Sequence, residues 1–281
     1  MRDFLPDGFK LGVTGTGITV NASNYVAWGW DMGGTSVSNT DGTITSTVMA
    51  NPTYGQSIVK YTGVAGVSND TKVGHGLNSA PEMIILKVLG EAEYWPVWHK
   101  DMHSYGGFDR KMYLNDTGGL SGTDQRIVTS VSSTTFGLAE GASTGCYSEA
   151  NQIGEEHIAY CFHSVSGYSK FGTYTGDATT NHSKSVTLGF RPAFLMVKKT
   201  SGTGNWVMVD NVRNPMSNDV DKYVKADTTD AEATQSGELF KFTSTGFTIG
   251  ANLGDVNANG ATYIYMAFAG GKDSSSTYNT T

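Results

Sequence analysis

The hydrophobic positions of this 281-residue chain fall in short bursts, alternating with period two or unbroken over a few residues, and no long stretch shows the 3.6 period of a helix. Successive residues of a strand face opposite sides of a sheet. In Tyr25-Val26-Ala27-Trp28-Gly29-Trp30 the large residues Val26, Trp28 and Trp30 therefore share one face, with Ala27 and Gly29 on the other. The alternation returns as Ile158, Tyr160 and Phe162 against Ala159 and Cys161, and as Ile264, Met266 and Phe268 against Tyr265 and Ala267. One face is large and apolar, and the other is mostly small, leaving room for a second layer. Cys161 fills the slot of Gly29 and Ala267 and reads as a packed small residue, without a redox or nucleophilic role. Residues 83–86 and 194–197 are apolar at four successive positions, which predicts strands buried on both faces. Further strands are predicted at 57–61, 111–114, 206–209 and 247–249. The best helix candidate is short, 230–235, opening on an N-cap-type Asp.

These bursts repeat. Tyr61-Thr62-Gly63 recurs as Tyr174-Thr175-Gly176, 113 residues on. Residues 81–87 align with 192–198, Trp95 with Trp206, and 133–136 with 244–247, all at an offset of 111, while 151–162 align with 257–268 at 106. Five landmarks in one order point to an internal duplication of about 110 residues, and a fixed period sets architecture before any element is assigned. The motif of residues 21–30 is a third copy of the closing strand, so the chain opens on the end of a repeat. Thirty residues separate Trp30 from Tyr61 but only 11 separate Phe162 from Tyr174, so the first copy carries an insertion in which Asp41-Gly42 predicts a tight hairpin turn. The expected fold is all-β, two tandem antiparallel β-sandwich or jelly-roll-like modules. The expected divisions are a partial repeat or extra strand at 1–24, a first module at 25–156 with the insertion at about 31–56, a second module at 157–269, and a flexible C-terminal tail at 270–281.

Composition agrees with the pattern. Gly, Thr, Ser and Asn make up 113 residues, and charged residues only 16%, which disfavours long helices and suits strands and turns. A net charge of −7 without a basic patch argues against a nucleic-acid partner. No apolar run approaches the roughly 20 residues of a membrane helix, and Arg2-Asp3 leads to Pro6-Asp7-Gly8 with no apolar segment of a secretion signal. Two cysteines, Cys146 and Cys161, cannot scaffold a chain of this size. A soluble protein made in a reducing cytosol, with no membrane partner, is expected.

Candidate chemistry is sparse. His99-Lys100-Asp101-Met102-His103 offers three ligand-type side chains, but the repeat sets Asp210 against His99 and supplies no further ligand, so a metal is not expected. Asn39 to Gly42 lacks the downstream Glu of a calcium loop. The glycines at 12, 15 and 17 precede no helix that could bind phosphate, and Ser57 and Lys60 point to opposite faces of a strand. Glu82, Glu91, Glu93, Glu140, Glu155 and Glu156 could in principle supply a glycosidase pair, yet nothing in their spacing sets two carboxylates across a bond. No catalytic residue and no cofactor is expected. Aromatics carry the strongest binding signal: Tyr94, Trp95, Trp98, Tyr105 and Phe108 cluster with His99 and His103, giving flat faces and polar edges suited to sugar rings or a protein partner. Trp95, with its repeat partner Trp206, is assigned to the core. Tyr94, Trp98, His99, His103 and Tyr105 are the candidate surface or receptor contacts.

The segments Tyr25-Val-Ala-Trp28, Ser38-Asn-Thr-Asp-Gly-Thr-Ile-Thr-Ser46, Ile58-Val-Lys-Tyr-Thr-Gly63, Val73-Gly-His-Gly-Leu77 and Tyr263-Ile-Tyr-Met-Ala-Phe-Ala269 together resemble a repeated β-rich module of virion structural proteins of tailed phages, especially marine and cyanobacterial ones, of the tail-fibre-like kind. The resemblance runs from about Gly8 to Ala269. It implies a non-enzymatic component on the exterior of the virion, made in the host cytoplasm: a tail fibre, an appendage or a capsid decoration. Its partners would be other virion proteins and further copies of itself, with a trimer expected for a fibre. The competing expectation is a lectin-like protein that binds host surface glycan in host attachment.

Overall fold

The computed structural model describes residues 3–5, 8–11, 24–66, 71–102, 108–122, 125–140, 148–213 and 219–270, and its sheets are antiparallel throughout. Contacts divide the chain into two units, Met1–Asp31 and Met32–Thr281. The first holds a hairpin of β1 (Asp3–Leu5) and β2 (Gly8–Lys10). Residues 24–31 do not form the strand their pattern predicts, and Tyr25 and Val26 are exposed. Period-two hydrophobicity is a preference that only a pairing neighbour can realise.

In the second unit, β3 (Val37–Asn39), β4 (Ser46–Asn51), β5 (Gln56–Thr62), β6 (Lys72–Gly74), β7 (Met83–Val88), β8 (Pro96–His99), β9 (Met112–Tyr113), β10 (Val128–Val131), β11 (Thr135–Leu138), the single helical turn α1 (Ser148–Asn151) and β12 (Glu156–Phe162) follow in order. They form a seven-stranded sheet, β3-β4-β5-β12-β7-β8-β9, and a three-stranded one, β10-β11-β6. The buried side chains of Val48, Val59, Ile84, Leu86, Trp98, Ala159 and Cys161 from the large sheet meet Val73, Val128, Phe136 and Leu138 from the small one. That is a β-sandwich.

The chain continues through β13 (Ser169–Thr175), β14 (Lys184–Thr187), β15 (Pro192–Lys199), β16 (Trp206–Asp210), β17 (Asp219–Val220), β18 (Lys222–Lys225), β19 (Ala233–Thr234), β20 (Phe240–Thr243), β21 (Gly246–Ile249), a second helical turn α2 (Gly254–Asn257) and β22 (Thr262–Ala269). The sheets are β13-β22-β15-β16-β18-β19 and β14-β21-β20-β17. Leu195, Val197, Val207, Val209, Tyr263, Tyr265 and Ala267 close a second core against Phe240, Phe242, Phe247 and Ile249.

The order β5-β12-β7-β8-β9 recurs as β13-β22-β15-β16-β18 and β10-β11-β6 as β20-β21-β14, with matching register at the centre, while β3, β4, β17 and β19 have no counterpart. Ile84 pairs with Trp98 as Leu195 does with Val209, Cys161 with Ile84 as Ala267 with Leu195, His157 with Tyr61 as Tyr263 with Tyr174, and Phe136 with Val73 as Phe247 with Val186. The helical turns, which the sequence does not announce, are equivalent too. Tyr61 Oη donates to the Ala150 carbonyl and Tyr174 Oη to that of Val256, both at 2.7 Å. Buried Asn151 and Asn257 each accept from a backbone N–H just past the β5 or β13 strand, Val64 or Asp177. Gly63 and Gly176 allow this approach: a Cβ would stand 2.0 Å from the Gln152 carbonyl oxygen at one and 2.3 Å from that of Ala258 at the other.

Three expectations differ from the structure. The boundary at 156/157 falls at the head of β12, which pairs with β5 on one side and β7 on the other, so the first sandwich runs to Phe162. The helix at 230–235 is replaced by β19, because β18 offers a free edge to which Ala233 and Thr234 pair. Asp41-Gly42 does lie between two paired strands, β3 and β4, but in a six-residue connection where a tight turn is expected; Ile44 N and Lys72 N bond across to β6 and Thr43, tying this connection to the opposite sheet. The assignment of Cys161 holds: it is fully buried and burial pushes its thiol pKa up, so the thiolate that redox chemistry needs is disfavoured. Cys146 and residues 271–281 lie outside the described residues.

The face of β12 carrying Ala159 and Cys161 turns into the first sandwich and is small, while the equivalent face of β22 turns into the second with Tyr263 and Tyr265 beside Ala267. The large face has a role the pattern did not reveal. Ile264, Met266 and Phe268 are buried at 2, 5 and 3% exposure yet belong to neither enclosed core. Phe268 packs on Phe162 of the first sandwich at 6.1 Å and on Phe171 at 5.8 Å. The two sandwiches are therefore joined by apolar packing as well as by chain connectivity.

Candidate functional site

Of the predicted aromatic contacts, the exposed Tyr94 lies on the loop between β7 and β8. Lys87, near the end of β7, donates its Nζ to the carbonyls of Glu91 at 2.7 Å and Glu93 at 2.9 Å, which fixes the course of this loop. Tyr94 follows, 45% exposed, and stacks on Tyr113 of β9 with ring centroids 4.4 Å apart. The Tyr113 hydroxyl donates to Glu149 Oε1 at 2.8 Å, and the other carboxylate oxygen of Glu149 pairs with the buried Lys111 ammonium, which lies 5.1 Å from the Tyr113 ring centroid. A buried charge needs such a partner, since desolvation of either ion alone costs several kcal/mol. The result is a shelf: an outward phenol face on Tyr94, half-buried Tyr113 and Trp95 beside it, and an ion pair beneath that holds Tyr113 in place.

Of the predicted contacts among the described residues, only Tyr94 belongs to this shelf. Trp98 is 2% exposed and stacks on Phe108 within the first core, at 5.4 Å with nearly parallel planes. His99 is fully buried, and its Nδ1 accepts from Asp101 N at 3.1 Å. Both are corrections to their assignment as surface contacts. All four residues of β8 are buried, because this strand is covered on both faces; a run Pro-Val-Trp-His offered no alternation from which to infer that. His103 and Tyr105 lie outside the described residues. Trp95, assigned to the core, is only half-buried, whereas Trp206 is 1% exposed. Tyr113 and the Lys111–Glu149 pair escaped the sequence reading, since Glu149 comes 36 residues after Tyr113 and only the fold brings them together.

A second polar cluster has no counterpart in the sequence reading. His182 lies between Thr248 and Glu238: its Nε2 meets the Glu238 carboxylate, and its Nδ1 is 3.0 Å from Thr248 Oγ1. With the carboxylate accepting from Nε2–H, Nδ1 accepts from the threonine hydroxyl. The four non-glycine residues with positive φ among those described are Ala178, Asn181, His182 and Glu238, at 55, 64, 60 and 39°. These bonds hold the strained loop against the outer face of β21.

Among the described residues no group of His, Cys, Asp or Glu is arranged to hold a metal ion, and no helix is long and apolar enough to cross a membrane. The chain belongs to a family described as a domain of unknown function (DUF7483), whose model matches residues 1–271. No curated protein and no solved structure matches the chain.

Proposed function

We propose that this protein is a structural component of a tailed-phage virion, on the particle exterior as a tail fibre, appendage or capsid-surface protein, acting through assembly with other virion proteins and with copies of itself. The reading rests on the resemblance of its repeated segments to virion modules. Two sandwiches of matching central register, which we read as the product of a tandem duplication, suit that role: their closing strands β12 and β22 are paired on both sides and meet at an apolar joint, which favours a rigid part over a catalytic one. Mass spectrometry of purified virions should find the chain at fixed stoichiometry, and electron microscopy of the particle should locate it. Its absence from purified particles would sink the proposal.

The Tyr94–Tyr113 shelf favours a second reading, a lectin-like contact with host surface glycan. Aromatic rings take the apolar faces of sugars, and the loop carbonyls and Glu side chains around Tyr94 supply polar edges. Purified protein should then bind host cells, and Tyr94→Ala should abolish that binding without altering the thermal transition. Undiminished binding by Tyr94→Ala would refute a role for the shelf.

A further inference from the structure

The Lys111–Glu149 pair beneath the aromatic shelf holds an amine and a carboxyl group in contact and away from water. The Lys111 side chain is 0% exposed and that of Glu149 10%. Lys111 immediately precedes the edge strand β9, and two bonds to Ser121 fix its backbone: Lys111 N donates to Ser121 Oγ and Ser121 N to the Lys111 carbonyl, both at 3.0 Å. Glu149 sits in α1, which is held by Tyr61 Oη donating to the Ala150 carbonyl at 2.7 Å and by Asn151 Nδ2 donating to that of Ala139 at 3.1 Å. Between these two anchored segments Lys111 Nζ meets Glu149 Oε2, and Tyr113 Oη donates to the other carboxylate oxygen, Oε1, at 2.8 Å.

The second sandwich carries the same chemical types in a different arrangement. Strand pairing sets Tyr223 and Lys225 at the places of Lys111 and Tyr113, and the second residue of α2, Asp255, stands where α1 has Glu149. With lysine and tyrosine exchanged, Lys225 Nζ pairs with Asp230 at 3.0 Å, while Asp255 accepts from Asn205 N at 3.0 Å and from Asn205 Nδ2 at 2.9 Å. An enclosed contact between amine and carboxyl group is thus made at one of these two equivalent places and not at the other.

We propose that Lys111 and Glu149 condense to an intramolecular amide between Nζ and Cδ, a covalent cross-link that ties β9 to α1 in the first sandwich. Passing one proton from Nζ to Oε2 removes both buried charges at once and leaves an amine beside a carboxylic acid. The Nζ lone pair then attacks Cδ, and the negative charge that develops on Oε1 is met by the Tyr113 hydroxyl already donating to it. A second proton passes from Nζ to Oε2, the Cδ–Oε2 bond breaks, and Oε2 leaves as water. The amide nitrogen keeps one proton, and no oxidant, reductant or other reactant enters. Two groups fixed in contact by their backbones need no bimolecular encounter, and an enclosed site keeps water from reversing the reaction. The proposal stands on the geometry of the first sandwich and is independent of the virion reading.

Intact-mass spectrometry of the full chain, purified folded and then denatured to break every non-covalent pair, tests it. Wild type should weigh one water less than its sequence requires, and protease digestion should yield a branched peptide joining the segment of Lys111 to that of Glu149. Lys111→Met should show its full sequence mass. Glu149→Gln, which presents an amide of nearly the same shape, should lose one ammonia in place of the water. Tyr113→Phe should reach the cross-linked mass more slowly when samples are followed from synthesis onward. The deciding measurement is made on wild type, so a variant that fails to fold does not remove it. Folded wild type at its full sequence mass overturns the proposal, as does a loss of water that persists in Lys111→Met or maps to other residues.

Discussion

Between pH 7 and pH 5 the protein should lose about 2 kcal/mol of stability through His75 alone. His75 is fully buried between β6 and the chain leading to Leu77. Its Nε2 is 3.1 Å from the Ser132 carbonyl, and its Nδ1 accepts from Leu77 N at 3.1 Å, so the ring is held as the neutral Nε2–H tautomer. Burial lowers its pKa to about 4, the Ser132 carbonyl opposing the shift only in part. The unfolded chain titrates near 6.5 and so binds more protons than the folded one between about 6.5 and about 4. The contribution is fully present above the unfolded pKa and lost as pH falls towards the folded one, with a ceiling of about 3 kcal/mol and about 2 kcal/mol of it lost by pH 5. Urea unfolding followed by tryptophan fluorescence at the two pH values measures the loss. His75→Asn keeps a side-chain acceptor for Leu77 N but cannot titrate, so its loss over the same interval should be smaller than wild type's by that amount. His157, whose pKa burial also lowers, acts in the same direction in both proteins and cancels in the comparison. Equal pH dependence in wild type and variant would refute the reasoning.

Three further outcomes follow from the paired architecture. Trp206→Phe leaves the Tyr113 carbonyl without its indole donor and should cost about 1–2 kcal/mol in chemical denaturation, whereas Trp95→Phe, at the open equivalent, should cost less than about 0.5 kcal/mol. Tyr61→Phe and Tyr174→Phe remove equivalent hydroxyl bonds to the helical turns and should each cost about 1 kcal/mol, summing in the double variant to within about 0.5 kcal/mol because they lie in separate cores. Trp98→Ala opens a cavity in the first core and should cost about 3–5 kcal/mol, while Tyr94→Ala should stay within about 0.5 kcal/mol, a contrast that thermal melts would show directly.

Residues 83–86 and 194–197 announced their strands, and the equal spacing of Met83 and Phe194, Trp95 and Trp206, and Phe136 and Phe247 announced that the strands recur, because period and spacing are properties of neighbouring residues. The all-β class and the small inner face of β12 were legible for the same reason. Residues 25–30 carry the same alternation and form no strand, since a ladder needs a partner that hydrophobicity alone does not supply. Trp98 and Tyr94 are four residues apart in one aromatic cluster, yet one is packed on Phe108 and the other stands in solvent. That distinction depends on what crosses over β8 and not on either side chain. Tyr113 meets Glu149, and Trp206 meets the Tyr113 carbonyl, only after sheets distant in sequence have paired. Local pattern marked the central strands at 83–86 and 194–197 and their recurrence. The tertiary structure decided which equivalents are covered and which are open, because burial belongs to the packed assembly of strands and not to any one of them.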